Sequence, residues 1–137
     1  MINRLSVMGI WVKDQNEALR FYTEKLGFEI RADITMGDYR WLTVGLKGQP
    51  DLEFGLSAMK PGGLFNEDEM QSLRKLVESG KIGSGVWKTD DCQKTYEALK
   101  AKGVEFVQPP TDRPYGIIEA VFKDNSGNLL VLSQDKP

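Results

Sequence analysis

The sequence predicts an α+β fold of two tandem βαβββ modules, and three observations predict it. The first is a repeat, which sets the architecture before any local feature is read. Ile10-Trp11-Val12-Lys13-Asp14 leads into a helical run from Glu17 to Leu26 and then Gly27-Phe28-Glu29-Ile30. Val86-Trp87-Lys88-Thr89-Asp90-Asp91 leads in the same way into a helical run from Gln93 to Lys102 and then Gly103-Val104-Glu105-Phe106. The second observation is that the stretches following each repeat alternate apolar and polar residues with period two, the pattern of half-buried strands. The third is that neither copy can bury a core alone, so two halves must combine around a cleft.

Each element follows from local chemistry. In Leu5 to Val12, Met8, Ile10 and Val12 share one face and Val7, Gly9 and Trp11 the other. Asp14 or Asn16 caps the next helix by accepting its first free amides. Ala18, Leu19, Phe21, Tyr22 and Leu26 then form an apolar stripe at helical spacing, and Gly27 supplies the left-handed stop. Phe28 to Ile34 is a strand, and Gly37-Asp38 turns the chain. In Tyr39 to Leu46, Leu42, Val44 and Leu46 oppose Tyr39, Trp41 and Thr43. Past the turn at Lys47-Gly48-Gln49-Pro50, Leu52, Phe54 and Leu56 alternate with Asp51, Glu53 and Gly55.

Residues 59–81 read as a structured linker, set between a first module at 1–58 and a second at 82–137. Asn66 caps its helix, with Glu67, Asp68 and Glu69 in the first turn complementing the dipole. Met70, Leu73, Leu76 and Val77 form the apolar face and Gly80 ends the helix; the whole segment, which begins at Lys60-Pro61-Gly62-Gly63, could wall or cover a cleft. In the second module Asp90 or Asp91 caps a helix whose Tyr96, Ala98 and Leu99 face the core. Gly103 stops it, and Val104 to Val107 is a strand. Pro109 to Gly116 reads as a rigid loop, Ile117 to Lys123 as a strand, Asp124 to Asn128 as a hairpin turn and Leu129 to Ser133 as the last strand.

Composition narrows the function. With 137 residues, 40% hydrophobic and 28% charged, the chain fits one globular domain or two small modules. A net charge of −2 without any basic block argues against nucleic acid and anionic membrane surfaces as partners. No apolar run reaches the length of a membrane span, and the first residues lack a signal-like segment. A lone cysteine, Cys92, forms no intrachain disulfide, so a cytoplasmic location is expected. The absence of histidine removes serine–histidine and cysteine–histidine catalysis and every imidazole-based metal site.

Several of these segments together resemble the vicinal oxygen chelate superfamily, which holds glyoxalase I, bleomycin-resistance proteins and extradiol dioxygenases. The resemblance rests on Val12-Lys13-Asp14, Ala18-Leu19-Arg20-Phe21-Tyr22, Leu26-Gly27-Phe28 and Ala98 to Val104. Arg113-Pro114-Tyr115-Gly116 and Phe122 to Asn128 complete it. It implies paired βαβββ modules with cupped mixed sheets, closed into cavities by a homodimer. It also implies divalent-metal positions that fall here on Val7, Glu53, Ser84 and Val131. Only Glu53 is an ordinary ligand, so no metal and no cofactor are expected, and glyoxalase I or dioxygenase chemistry is not.

On that fold the inner face collects Val7, Gly9, Trp11, Trp41, Thr43, Glu53, Ser84, Val86, Lys88, Glu119, Val121 and Val131, with Tyr115 and Arg113 on a loop at the rim. Apolar and aromatic walls with a few polar groups are the makeup of a small-molecule site. Trp11 and Trp41 either line that pocket or fill the fold or a dimer interface; Trp87 falls on the helix side. An apolar cleft makes Glu53 the candidate general acid or base. The alternative is a remnant of a metal site, hydrogen-bonded to Ser84 or paired with Lys88. Glu119 is a second acid of this kind, or reaches solvent. Cys92 near a helix start invites a lowered thiol pKa, yet without a basic partner it reads as an inert surface thiol. Met36, Met59 and Met70 offer adaptable contacts or fill the core.

The function expected is a metal-free binding protein similar to the bleomycin-resistance type, with antibiotic resistance as its setting. It would sequester an amphipathic aromatic or cationic compound, stacking it on tryptophan and meeting charge with Glu53 and Glu119. The alternative is an enzyme, a lyase or isomerase using Glu53 as general base or within an atypical metal site.

Overall fold

A computed structural model describes residues 1–137. The elements are β1 (Val7–Val12), α1 (Gln15–Arg20) with a π-helical turn (Phe21–Lys25), β2 (Glu29–Met36), β3 (Tyr39–Gly45) and β4 (Glu53–Ala58). They continue as α2 (Glu67–Glu78), β5 (Gly83–Lys88), α3 (Cys92–Ala101), β6 (Phe106–Arg113), β7 (Ile117–Lys123) and β8 (Leu129–Asp135). Two compact units result, Met1–Arg74 and Lys75–Pro137, with the division inside α2. Each contains one four-stranded mixed sheet, ordered β1-β4-β3-β2 in the first and β5-β8-β7-β6 in the second. The parallel pair is β1 with β4 and β5 with β8, so both units have the predicted βαβββ topology.

In the first unit, the alternation of the sequence becomes a buried face and an uncovered one. Ile10, Val12, Leu42, Val44, Phe54 and Leu56 are buried on the side where α1 packs. Asp14 caps α1, its carboxylate accepting from the Glu17 amide at 2.9 Å. The stretch from cap to stop glycine is one residue longer here (Asp14 to Gly27) than in the second unit (Asp91 to Gly103). The π turn absorbs that residue: the Leu26 amide reaches back to the Phe21 carbonyl and the Phe28 amide to that of Tyr22. The adjacent Phe21 and Tyr22 are thereby both buried, and Tyr22 meets Phe28 edge-on at 5.4 Å.

Residue Asn66 caps α2 through a reciprocal box, its side chain accepting from the Glu69 amide while Glu69 accepts from the Asn66 amide, each at 2.9 Å. Met70 and Val77 are buried, but Leu76, expected on the apolar face, is exposed. Ala98 on α3 is likewise exposed, leaving Leu99 and the half-buried Tyr96 as the inward residues. Both errors have one cause: the inward stripe is narrower than the run of apolar residues.

The second unit corrects a larger expectation. Pro109 to Arg113 is strand, with Thr111, Asp112 and Arg113 paired to Glu119, Ile118 and Ile117. Prolines are tolerated there because β6 is the sheet edge, and register shifts around Gln108 bulge the chain past them. The turn between β7 and β8 is organised by Asp124, which is buried. Its Oδ1 accepts from the amides of Ser126, Gly127 and Asn128 at 2.9, 3.0 and 3.0 Å, and its Oδ2 from Asn128 Nδ2 at 2.9 Å. Gly127 has φ 110°, and a Cβ there would clash with the Val77 carbonyl oxygen.

Candidate functional site

The face of the first sheet away from α1 is where the predicted residues of that unit gather. The parallel register sets Val7 opposite Glu53, Gly9 opposite Gly55 and Trp11 opposite Ser57, while β3 brings Thr43 opposite Gly55. Residues directly opposite share a face, so these side chains and Trp41 point the same way. At one end Thr43, fully buried, donates its hydroxyl to Glu53 Oε1 at 2.6 Å. Within its own unit, then, the hydroxyl that Glu53 meets is Thr43's. In the second unit, Lys88 pairs with Asp135 at 2.6 Å and reaches Ser133 Oγ at 3.3 Å.

At the other end lies a cavity of about 510 Å³, within the size range of small-molecule sites. Trp11 and Trp41 line it, Gly55 and Ser57 contribute β4, and Lys60 to Gly63 form a loop along its edge. Several bonds brace this end. Gln15 Nε2 donates to the carbonyls of Leu56 (2.8 Å) and Arg40 (3.2 Å), tying α1 to β4 and β3. Arg40 grips both oxygens of Asp33 at 2.8 and 2.9 Å and reaches Asn16 Oδ1 at 2.6 Å. That guanidinium holds the Asp33 carboxyl below the usual carboxylate range, and is itself pushed up by the same hydrogen bond. Lys60 Nζ donates to the Asp38 carbonyl at 2.8 Å, fastening the loop to the β2–β3 turn. Phe65 meets Trp11 edge-on at 5.6 Å, which fixes the indole from the loop side.

The remaining predicted residues belong to the second unit. Glu119 Oε1 accepts from Arg113 Nε at 2.8 Å and from the Tyr115 hydroxyl at 3.2 Å. Arg113 also donates to Gln108 Oε1 at 2.9 Å, so the group expected at a loop rim is braced across β6 and β7. Val131, half-buried, pairs with Val86. A register shift leaves Ser84 outside the ladder, and its freed carbonyl accepts from the Trp87 indole at 2.9 Å. Gln15 escaped the sequence reading because a helix start shows no periodicity toward a sheet face, whereas the 60–63 loop lies in the linker expected to wall or cover a cleft.

The positions that the resemblance assigns to a metal do not fit one. Val7 faces Glu53 and Val131 faces Val86, so Glu53 is the one strong donor among them. No group of three or more Cys, Asp or Glu side chains is placed to hold an ion.

The thiol corrects another expectation. Cys92 is fully buried, not at the surface, and desolvation, aided by the Asp91 and Glu119 carboxylates, pushes its pKa up despite the helix start. Its amide donates to Gln134 Oε1 at 2.7 Å. Native protein at neutral pH is therefore expected to leave Cys92 unmodified by Ellman's reagent over minutes and to release one equivalent once denatured. Rapid native reaction would contradict the burial.

Residues 4–132 match the model of the Glyoxalase/Bleomycin resistance protein/Dioxygenase superfamily. The uncharacterized protein YurT of Bacillus subtilis (strain 168) is 36% identical over 132 residues, covering 96% of this chain and 98% of that protein. The crystal structure of UcmS2 is 47% identical with a TM-score of 0.91, covering 98% of this chain and 100% of that one. TnmS3, an antibiotic binding protein from Streptomyces sp. CB03234, is 28% identical with a TM-score of 0.76, covering 98% of both chains. No helix is long and apolar enough to cross a membrane. Sequence motifs, twin βαβββ sheets and matches across nearly the whole chain agree: the chain belongs to the glyoxalase/bleomycin resistance protein/dioxygenase superfamily.

Proposed function

We propose that this protein binds and sequesters a small amphipathic aromatic or cationic compound without a metal ion. The observation behind this reading is the Trp11–Trp41 cavity on the first sheet, braced by Gln15, Arg40 and Lys60. Indole faces supply stacking and cation–π attraction, and Glu53, oriented by Thr43, supplies an acceptor farther along the same face. The likeness to an antibiotic binding protein supports a small-molecule ligand. Exposed apolar side chains at Met8, Ile30, Ile34, Met36 and Val86 support a homodimer, which sedimentation equilibrium checks.

Tryptophan fluorescence titrated with a panel of aromatic and cationic compounds tests the reading, with elemental analysis of the same sample. Saturable quenching at micromolar ligand with substoichiometric metal is expected. A flat response to the whole panel, or one tightly held metal per chain, overturns it. A second reading, an enzyme with Glu53 as general base, rests on the Thr43 bond, which orients the carboxylate. Under it Glu53→Gln abolishes turnover of a substrate while the melting temperature hardly moves.

A further inference from the structure

We infer that Gly9 and Gly55, paired across β1 and β4, form a side-chain-free floor that selects flat aromatic ligands over three-dimensional ones. This deepens the small-molecule reading and rests on it. Glycine weakens a strand interior relative to alanine, and is retained there when the backbone must take a special conformation or something must approach closely. Neither glycine has a positive φ, so conformation does not explain them. Space does. A Cβ built on Gly9 meets nothing within 4 Å, and one on Gly55 makes only ordinary contacts, 3.8 Å to Val7 and 4.0 Å to Trp41. The fold therefore accommodates alanine at both positions, and packing does not require glycine at either.

What the pair creates is a shelf of bare backbone. Register sets the two glycines directly opposite each other, with Trp11 and Ser57 one step along the same face and Trp41 beside Gly55. Gly55 and both indoles line the cavity. A planar ring system can lie on that bare peptide backbone beside the indoles at van der Waals distance. A methyl group at either position lifts it off, whereas a bulky ligand held by its rim loses little.

Gly9→Ala, Gly55→Ala and the double variant test this, with 9-aminoacridine as the flat probe and benzyltriphenylphosphonium as the three-dimensional one. Affinities come from equilibrium dialysis, stability from thermal melts and oligomeric state from sedimentation. Wild-type protein is expected to prefer the flat probe about tenfold. The double variant is expected to bind it about tenfold more weakly, with less than a twofold change for the phosphonium. Its melting temperature should stay level or rise. An unchanged preference in a folded double variant overturns the inference and leaves the small-molecule reading standing. A lower melting temperature or altered oligomeric state overturns it too, because protein rather than ligand then occupies the shelf. Wild-type protein that binds neither probe overturns the inference, while the small-molecule reading falls only on a flat response to the whole panel.

Discussion

Replacing Asp124 with alanine is expected to remove about 3–5 kcal/mol of folding stability. The carboxylate is buried and accepts three successive backbone amides, from Ser126, Gly127 and Asn128, besides the side-chain amide of Asn128. Ser126, Gly127 and Asn128 are buried as well, so water cannot take over the abandoned donors without the turn opening. The turn also packs closely on the end of α2, with Gly127 so near the Val77 carbonyl that even a methyl group does not fit. Removing the acceptor therefore takes a hydrogen bond from each of these buried donors, of which the Gly127 amide keeps its 3.2 Å bond to the Asp124 carbonyl. Losing a buried partner costs about 1–3 kcal/mol before relaxation. Asp124→Asn separates shape from charge. It keeps Oδ1 for the backbone amides but sets one amide against the Nδ2 of Asn128, so an intermediate loss is expected. Urea unfolding midpoints at constant m-value measure the three proteins. An alanine variant within about 1 kcal/mol of wild type would show that the turn is held by something else.

The second large effect concerns binding. Trp11→Ala and Trp41→Ala are each expected to weaken 9-aminoacridine binding about thirtyfold, since a buried aromatic anchor is typically worth about 2 kcal/mol. The double substitution should abolish measurable binding. The two differ in a second readout. Trp11 is the edge-on partner of Phe65, so its removal also loosens the 60–65 loop and should lower the melting temperature more than removal of Trp41. Phenylalanine at either position restores part of the stacking and should recover part of the affinity. Alanine variants that bind like wild type would mean that the tryptophans only fill space.

Much of this molecule was legible in its residues, for identifiable reasons. Ile10 and Val12, or Leu42 and Val44, alternate so regularly that their faces follow from the pleat alone. Gly27, Gly37, Gly80 and Gly127 all have the positive φ that their positions as stops and turns suggested. What escaped depends on relations between segments. The π turn is hidden because one extra residue spoils helical periodicity only slightly. Pro109-Pro110 looked like a loop because edge position, which makes the prolines harmless, is a property of the sheet and not of the stretch. Alternation put Thr43 and Glu53 on a common face, but their 2.6 Å bond needs a cross-strand register that no single strand declares. Gly9 and Gly55 are inconspicuous apart and become a feature only as partners.

The same pairing distinguishes the halves of the chain. Along β5 and β8 no rung joins two glycines: Val86 stands against Val131, Trp87 against Leu132 and Lys88 against Ser133. A duplicated architecture therefore does not imply duplicated occupancy. The binding isotherm of a flat aromatic should saturate at a single equivalent per polypeptide, leaving the second module free to have drifted toward a different duty.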